Sequence, residues 1–406
     1  FGQNRMKHNN PLTSSFSSTR KTTDLRERNI SSVLYTLLTH DNISRKQIIE
    51  ITGLAPSTVS SITDYLLETG IIKRIGNLSS SVVGRKSDLL ARNPKASFVG
   101  SVYLTPERCQ VAIVDFNYEI VEKRYIDFEE GFKESKTFRI ITLLKELLHN
   151  QDNQNNLHAI SLALPHHPFD NRIIIDAFKN EFDQTIFPIN NVEAMASYEY
   201  YAHLSKRLHT LIFVYIGTGI GSGLIIDGKL YKGISGNASD LGHVYITDKP
   251  LVCRCGRKGC LETVSSELAL SKAFTEHFEL NRYLKREELI QFIREGIKRK
   301  DDYIISKLEE AVFYLSRALF NLASIIDPQE IVITGRINQL NPYFSNMLET
   351  AYVEHSKIDR FPLIPLSFIP LHEEAGLKGS AMYSFISLYC NSSQRKSILN
   401  TGNNKP

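Results

Sequence analysis

From Arg26 onward, apolar and polar positions alternate in a way that predicts three successive helices. Ile30, Val33, Leu34, Leu37 and Leu38 recur at three- and four-residue spacing, an amphipathic stripe that His40, Asp41 and Asn42 interrupt. Ser44 and Gln47 stand at capping-box spacing, and the short helix they open, Arg45 to Ile51, stops at Gly53. Pro56 suits a first helical position because its missing amide proton is not needed there. Val59, Ile62, Leu66 and Leu67 then give the following helix one apolar side. Two short helices joined by a tight Gly-containing turn predict a helix-turn-helix. After Gly70, IIKRIGN, a Ser-rich turn and VVGRKSDLLAR predict a β-hairpin wing with Gly84, Arg85 and Lys86 on its arm. In such a head the second helix enters the major groove, where Ser57, Thr58, Ser61 and Thr63 meet base edges. Arg85 and Lys86 would contact phosphates or a narrow minor groove. The competing reading is a helical module that docks another protein.

Beyond residue 95 the periodicity shortens. Strand-like runs (SFVGSVYL, CQVAIVDF, EIVEKRYIDF) precede a helix from Ser135 to His149. Further strands (LHAISLALP, TLIFVYIG, EIVITG, PLIPLSFI) alternate with helices near 193–206, 263–277, 286–299 and 303–326. A meander of strands followed by alternation predicts a layered α/β body, and its appearance twice hints at two related lobes. The expected organisation is a flexible tail over 1–25, rich in Ser, Thr and Asn, and a winged helix-turn-helix over 26–95. A small lobe over 96–198, completed by a C-terminal helix at 374–392, a large lobe over 199–373 and a second flexible tail over 393–406 follow.

Charge sharpens this division. The formal net charge of +4 separates into +7 for residues 1–95 and −3 for the remainder. A basic head on a mildly acidic body points to an anionic partner such as double-stranded DNA. The polar start of the chain lacks a signal-peptide core, no apolar run reaches membrane-spanning length, and five cysteines are too few for a disulfide scaffold. A cytoplasmic protein without membrane contact is therefore expected.

The strongest chemical signal is GHVYITDKPLVCRCGRKGCLE. His243, Cys253, Cys255 and Cys260 form a complete set for a structural, tetrahedral Zn2+, with no position left for a catalytic water. A disulfide is the alternative, but Cys253 and Cys255 are too close in sequence to pair comfortably. Cys109 and Cys390 fall in apolar runs and are expected as core thiols. A second run, VYIGTGIGSGLIIDG, holds Gly217, Gly219, Gly221 and Gly223, whose amides could approach an anion; ordinary Gly-rich β-turns look the same. It lacks the following helix of a dinucleotide fingerprint and the Lys of a P-loop.

Together with SGNASDLGHVYI and IGTGIGSGLIIDGKLYKG, the CRCGRKGCLE run resembles the ROK family of repressors and sugar kinases, and the resemblance spans essentially the whole chain. The first 95 residues resemble the DNA-binding domain of its repressor branch, Gly-Arg wing included. The resemblance implies a two-lobed actin-like, ribonuclease-H-like fold, a zinc held by one His and three Cys, and a homodimer or homotetramer. It also exposes departures from the kinase branch. GSVYLTPERCQ replaces the Asp-Gly-Gly-Thr phosphate turn, and Asn191 stands where the general-base Asp belongs. Pro165-His166 replaces Pro-Gly, and Thr334-Gly335 replaces paired glycines. An amide has no usable protonation near pH 7, so Asn191 cannot be a general base. The family's sugar contacts map onto Asn190, Asn191, Asp240, His243 and Glu262. Alternatively, Asp240 and Glu262 brace the zinc loop. The expectation is a non-catalytic repressor of sugar-metabolism genes that answers to a sugar or sugar phosphate. Its rivals are a repressor controlled by a protein partner and an ATP-dependent sugar kinase with a fused DNA-binding domain.

Overall fold

The computed structural model describes residues 22–77, 88–128, 131, 133–149, 156–166, 170–204, 208–236, 238–356 and 363–402. They divide into two compact units, one formed by 1–164, 171–189 and 377–406, the other by 165–170 and 190–376.

The first unit begins with α1 (Thr22–Thr39), whose stripe of Ile30, Val33, Leu34, Leu37 and Leu38 is buried. The helix starts before residue 26, so the last part of the expected tail is helical. After β1 (Ile43–Ser44), α2 (Arg45–Thr52) opens on the expected capping box: Gln47 N donates to Ser44 Oγ at 3.3 Å, and Ser44 N to Gln47 Oε1 at 3.0 Å. Gly53 ends α2 at a φ of 67°, the left-handed conformation in which glycine carries no steric cost. Pro56 opens α3 (Pro56–Glu68). β2 (Ile72–Asn77) and β3 (Asp88–Arg92) pair antiparallel and complete a three-stranded sheet in the order β1-β3-β2.

This head is not a separate bead. Arg92, at the end of β3, is buried and donates from Nη1 to Leu37 O at 2.8 Å and Leu38 O at 3.3 Å. A cation against the last carbonyls of α1 is stabilised by the helix dipole. Its guanidinium also lies 4.4 Å from the ring centre of Tyr118, whose hydroxyl donates to Leu38 O at 2.7 Å.

β4 (Phe98–Leu104), β5 (Arg108–Asp115) and β6 (Ile120–Asp127) form the predicted meander. α4 (Thr137–His149), β7 (Leu157–Leu164), α5 (Asn171–Glu181) and β8 (Thr185–Asn190) follow, giving a sheet in the order β6-β5-β4-β7-β8.

The second unit comprises α6 (Asn191–Glu199), β9 (Leu211–Ile216), β10 (Ile220–Ile226) and β11 (Lys229–Tyr231). Next come α7 (Glu262–Ser265), α8 (Glu267–His277), α9 (Glu287–Arg299), α10 (Asp302–Ile326), β12 (Glu330–Gly335), α11 (Tyr343–Ser356) and β13 (Leu366–Phe368). Its sheet runs β11-β10-β9-β12-β13. Numbered within each unit, both sheets read 3-2-1-4-5, so the hinted duplication exists as topology. β9 shows why its run is apolar throughout: Ile212, Val214 and Ile216 face the core under α10, while Leu211 and Phe213 face Met195 and Ala196 of α6.

α6 thus belongs to the second unit, which places the break before it instead of at residue 198. The cause is packing: Cβ atoms at Gly221 and Gly223 would lie 2.6 Å from Val192 Cγ2 and 2.7 Å from Ala196 Cβ. The chain returns to the first unit through α12 (Ala375–Cys390). Phe385 meets the Phe116 ring edge-on at 5.1 Å, and Tyr389 lies tilted against it at 4.7 Å. The expected second tail is instead α13 (Ser392–Gly402). Its Arg395 is 1% exposed and bonded to α1, an anchorage that holds the segment in place. Among the described residues, no helix is long and apolar enough to cross a membrane.

Candidate metal centre and effector site

β10 is the platform of the site. The 3-10 turn Leu241–His243 rests on its first residue, since a Cβ on Gly242 would collide with Ile220 O. From there the chain makes a small hairpin. Bridges Tyr245–Cys260 and Val252–Lys258 and the bonds Cys253 N to Arg257 O (2.8 Å) and Leu261 N to Val244 O (3.0 Å) close it. Gly259, at a φ of 76°, is required because a Cβ there would press on the Tyr245 ring and Thr247 O.

The hairpin brings the four expected metal ligands together. One ligand atom each from His243, Cys253, Cys255 and Cys260 lies within 4.8 Å of the others. Cys253 Sγ is 3.4 Å from His243 Nδ1, and Cys255 Sγ is 3.7 Å from Cys260 Sγ. Tetrahedral zinc with bonds of about 2.3 Å to sulfur and about 2.05 Å to nitrogen sets those edges at about 3.6 and about 3.8 Å. The five cysteines are free thiols, and the donor set fits zinc in kind, number and spacing.

Glu262 braces this loop. Its carboxylate is buried and receives Arg254 Nε at 3.0 Å and Nη2 at 2.9 Å, a two-pronged pair. No local spacing in the sequence signalled the pairing of Arg254 with Glu262.

The other expected sugar contacts lie around the same platform. Asn190 is the N-cap of α6, accepting from Val192 N at 2.8 Å, and the buried Asn191 is its first residue. Glu193 completes a second capping box and sits 3.9 Å from Lys232. Burial pushes its carboxyl up to about 7 against the pull of that lysine. The Asn-x-x-Glu spacing was a legible signal for it. Asp240 Oδ1 lies 4.0 Å from Nδ1 of His166. His243 faces the sulfurs through Nδ1, leaving Nε2 as its second polar atom.

In the Gly-rich run, Gly217 N is spent on Gly219 O at 2.9 Å, while Gly221 and Gly223 lie within β10 and admit α6. Facing the turn is Glu267, whose amide donates to Gly217 O at 2.9 Å and whose Oε1 is buried without a hydrogen bond.

On α3, Ser57 and Ser61 are exposed and Thr58 half-buried. Thr63 departs from expectation. It is fully buried, donates to Val59 O at 2.9 Å and accepts from Arg45 Nε at 2.8 Å. It lies on the same face as Val59, Ile62 and Leu66, which helical periodicity turns inward. Arg85 and Lys86 lie outside the described residues.

A model of the ROK family matches residues 110–383. The N-acetylglucosamine repressor of Escherichia coli O6:H1 (strain CFT073) is 24% identical over 347 residues, spanning 80% of this chain and 85% of that protein. Among solved structures, a ROK family transcriptional regulator described as a homologue of the E. coli MLC protein superposes with a TM-score of 0.72. It is 20% identical and covers 93% of this chain and 99% of its own. A ROK hexokinase from Thermus thermophilus superposes with a TM-score of 0.58 at 23% identity, covering 70% of this chain and 97% of its own.

Proposed function

The chain belongs to the ROK family, and on that premise we propose that it is a DNA-binding repressor of sugar-metabolism genes whose sensor no longer phosphorylates sugars. One observation carries the reading: a helical head that exposes Ser57 and Ser61 at a helix start precedes a body in which Asn191 holds the position of the kinase base. The likeness to the regulator extends over nearly the whole chain, whereas the hexokinase accounts for 70% of it.

In this reading residues 26–95 are a winged helix-turn-helix. Ser57, Thr58 and Ser61 reach base edges, Arg85 and Lys86 grip phosphates, and a homodimer or homotetramer sets two such helices on a two-fold operator. His243, Cys253, Cys255 and Cys260 hold a structural zinc, which supplies a cross-link within the loop and no reactive water. A sugar or sugar phosphate is held by Asn190, Asn191, Asp240 and His243 Nε2. Glu262 serves chiefly to fix the loop through Arg254, because both of its oxygens are already engaged. That engagement also favours a second reading, in which a protein partner takes the place of the sugar.

Fluorescence anisotropy with operator DNA, paired with a thermal-shift panel of sugars and sugar phosphates, tests both. Operator binding released by one sugar, with a matching rise in melting temperature, supports the sugar-responsive repressor. Operator binding with silence across the panel supports the partner. Sugar-dependent ATP consumption would overturn the non-catalytic reading.

A further inference from the structure

A second cluster of metal-ligating side chains lies in the same unit, away from the zinc loop. α6 does not stop cleanly: residues Tyr200–Leu204 continue it as a π-helical turn, a rare geometry that is frequent at functional positions. Tyr200 anchors this turn, with its ring buried and its hydroxyl donating to Leu208 O at 3.0 Å. The turn sets His203 over Glu199 at i, i+4, and the segment ahead of α12 brings in His372. One ligand atom from each of Glu199, His203 and His372 lies within 4.8 Å of the other two.

The three groups have few other reasons to converge. Glu199 is 5% exposed, and its Oε1 stands 3.8 Å from His372 Nε2, too far for the hydrogen bond such a pair ordinarily makes. The two imidazoles lie face to face, with centroids 6.0 Å apart and planes 26° apart. Tyr198 meets both edge-on at 5.5 and 6.0 Å, which orients them together. Two ligands on one tetrahedral ion stand about 3.4 Å apart at bonds of about 2.1 Å. Rotation of the two exposed imidazoles closes that difference.

We propose that Glu199, His203 and His372 form a second metal site, for a divalent first-row transition ion such as Zn2+. Two imidazoles and one carboxylate suit such borderline ions, and three protein ligands leave a position for water. The ion would tie the π-helical turn to the segment that leads into α12. The site involves neither the thiolates of the zinc loop nor the residues assigned to sugar.

Cobalt titration of the full-length protein, followed by absorption and elemental analysis, tests this. Two equivalents are expected. One shows thiolate-to-cobalt charge transfer, and the other shows only ligand-field bands. His372→Ala and His203→Ala, both at exposed positions, should each abolish the second equivalent and keep the first. Cys255→Ala should do the reverse. Saturation at the single thiolate-bound equivalent, or a second equivalent that persists in either histidine variant, overturns the proposal.

Discussion

Arg395 in the last helix is paired with Glu27 in the first, 368 residues away. The guanidinium is 1% exposed and also donates to Ser31 Oγ at 3.0 Å and Tyr389 O at 2.6 Å. Burial tends to raise the Glu27 carboxyl, but hydrogen bonds from Lys396 and Arg395 outweigh it and hold it below the usual carboxylate range. Breaking the pair from the acidic side leaves the buried guanidinium without a counter-charge, whereas Glu27 would still keep Lys396 at 3.0 Å, so Glu27→Gln should destabilise the protein by about 3 kcal/mol. Adding Arg395→Met should recover part of that, because the orphaned charge is then gone. Denaturant unfolding of both variants measures it. A double variant no more stable than the single one would show that the pair is incidental.

The α3 hydroxyls should separate into two behaviours. Ser61→Ala is expected to weaken operator binding about fivefold with unchanged stability. Thr63→Val leaves Arg45 Nε without its acceptor and should cost about 1 kcal/mol of stability. Arg85→Ala should weaken operator binding and flatten its salt dependence by about one unit of slope. Anisotropy titrations at several salt concentrations, beside thermal melts, distinguish these outcomes. Equal stability losses at positions 61 and 63 would contradict the burial pattern.

Replacing one zinc ligand should dismantle the loop. Cys255→Ala is expected to remove the thiolate-bound zinc from purified protein and to impair repression in a reporter strain. Full repression by protein that lacks the thiolate-bound zinc would remove that metal from the functional argument.

Restoring a carboxylate should not restore catalysis. Asn191→Asp returns the general base, but the phosphate turn is still absent and Glu267 still faces the Gly217 turn. No sugar-dependent ATP consumption is expected from either protein in a coupled assay. Turnover by the variant would mean that Asn191 alone silences a competent kinase.

Glu267 should make stability fall with rising pH. Burial lifts its carboxyl to about 7; Arg336 and Arg286 pull it down and Glu287 pushes it up. A raised folded-state pKa means the native state holds a proton the unfolded chain releases. The stabilisation is therefore complete below the ordinary carboxylate range and lost as pH rises through about 7. Its full extent is about 3 kcal/mol by pH 8. Glu267→Gln should be more stable than the parent at pH 8 and nearly equal at pH 5, by urea melts. Proton competition at the zinc loop acts in the opposite sense and is common to both proteins. Parallel pH profiles would place the titration elsewhere.

What the sequence by itself determined were the features whose causes lie within a few residues. The Ser44–Gln47 box, the Gly53 stop, the Pro56 start and the stripe of α1 depend on local backbone geometry and helical period. So does the Cys253–Cys260 cluster, since thiols eight or fewer residues apart cannot stray far from one another. Tertiary structure decided whatever depends on which surface meets which. Thr63 looks like a free hydroxyl until the packing of α3 turns it toward Arg45. Gly221 and Gly223 look like an anion loop until α6 lies against them. Arg395, read as part of a flexible tail, is held by a partner at the opposite end of the chain, and Glu199 meets His372 from less than half that distance in sequence. Chain separation carries no record of such contacts, because burial and charge pairing between distant segments arise only when whole elements pack.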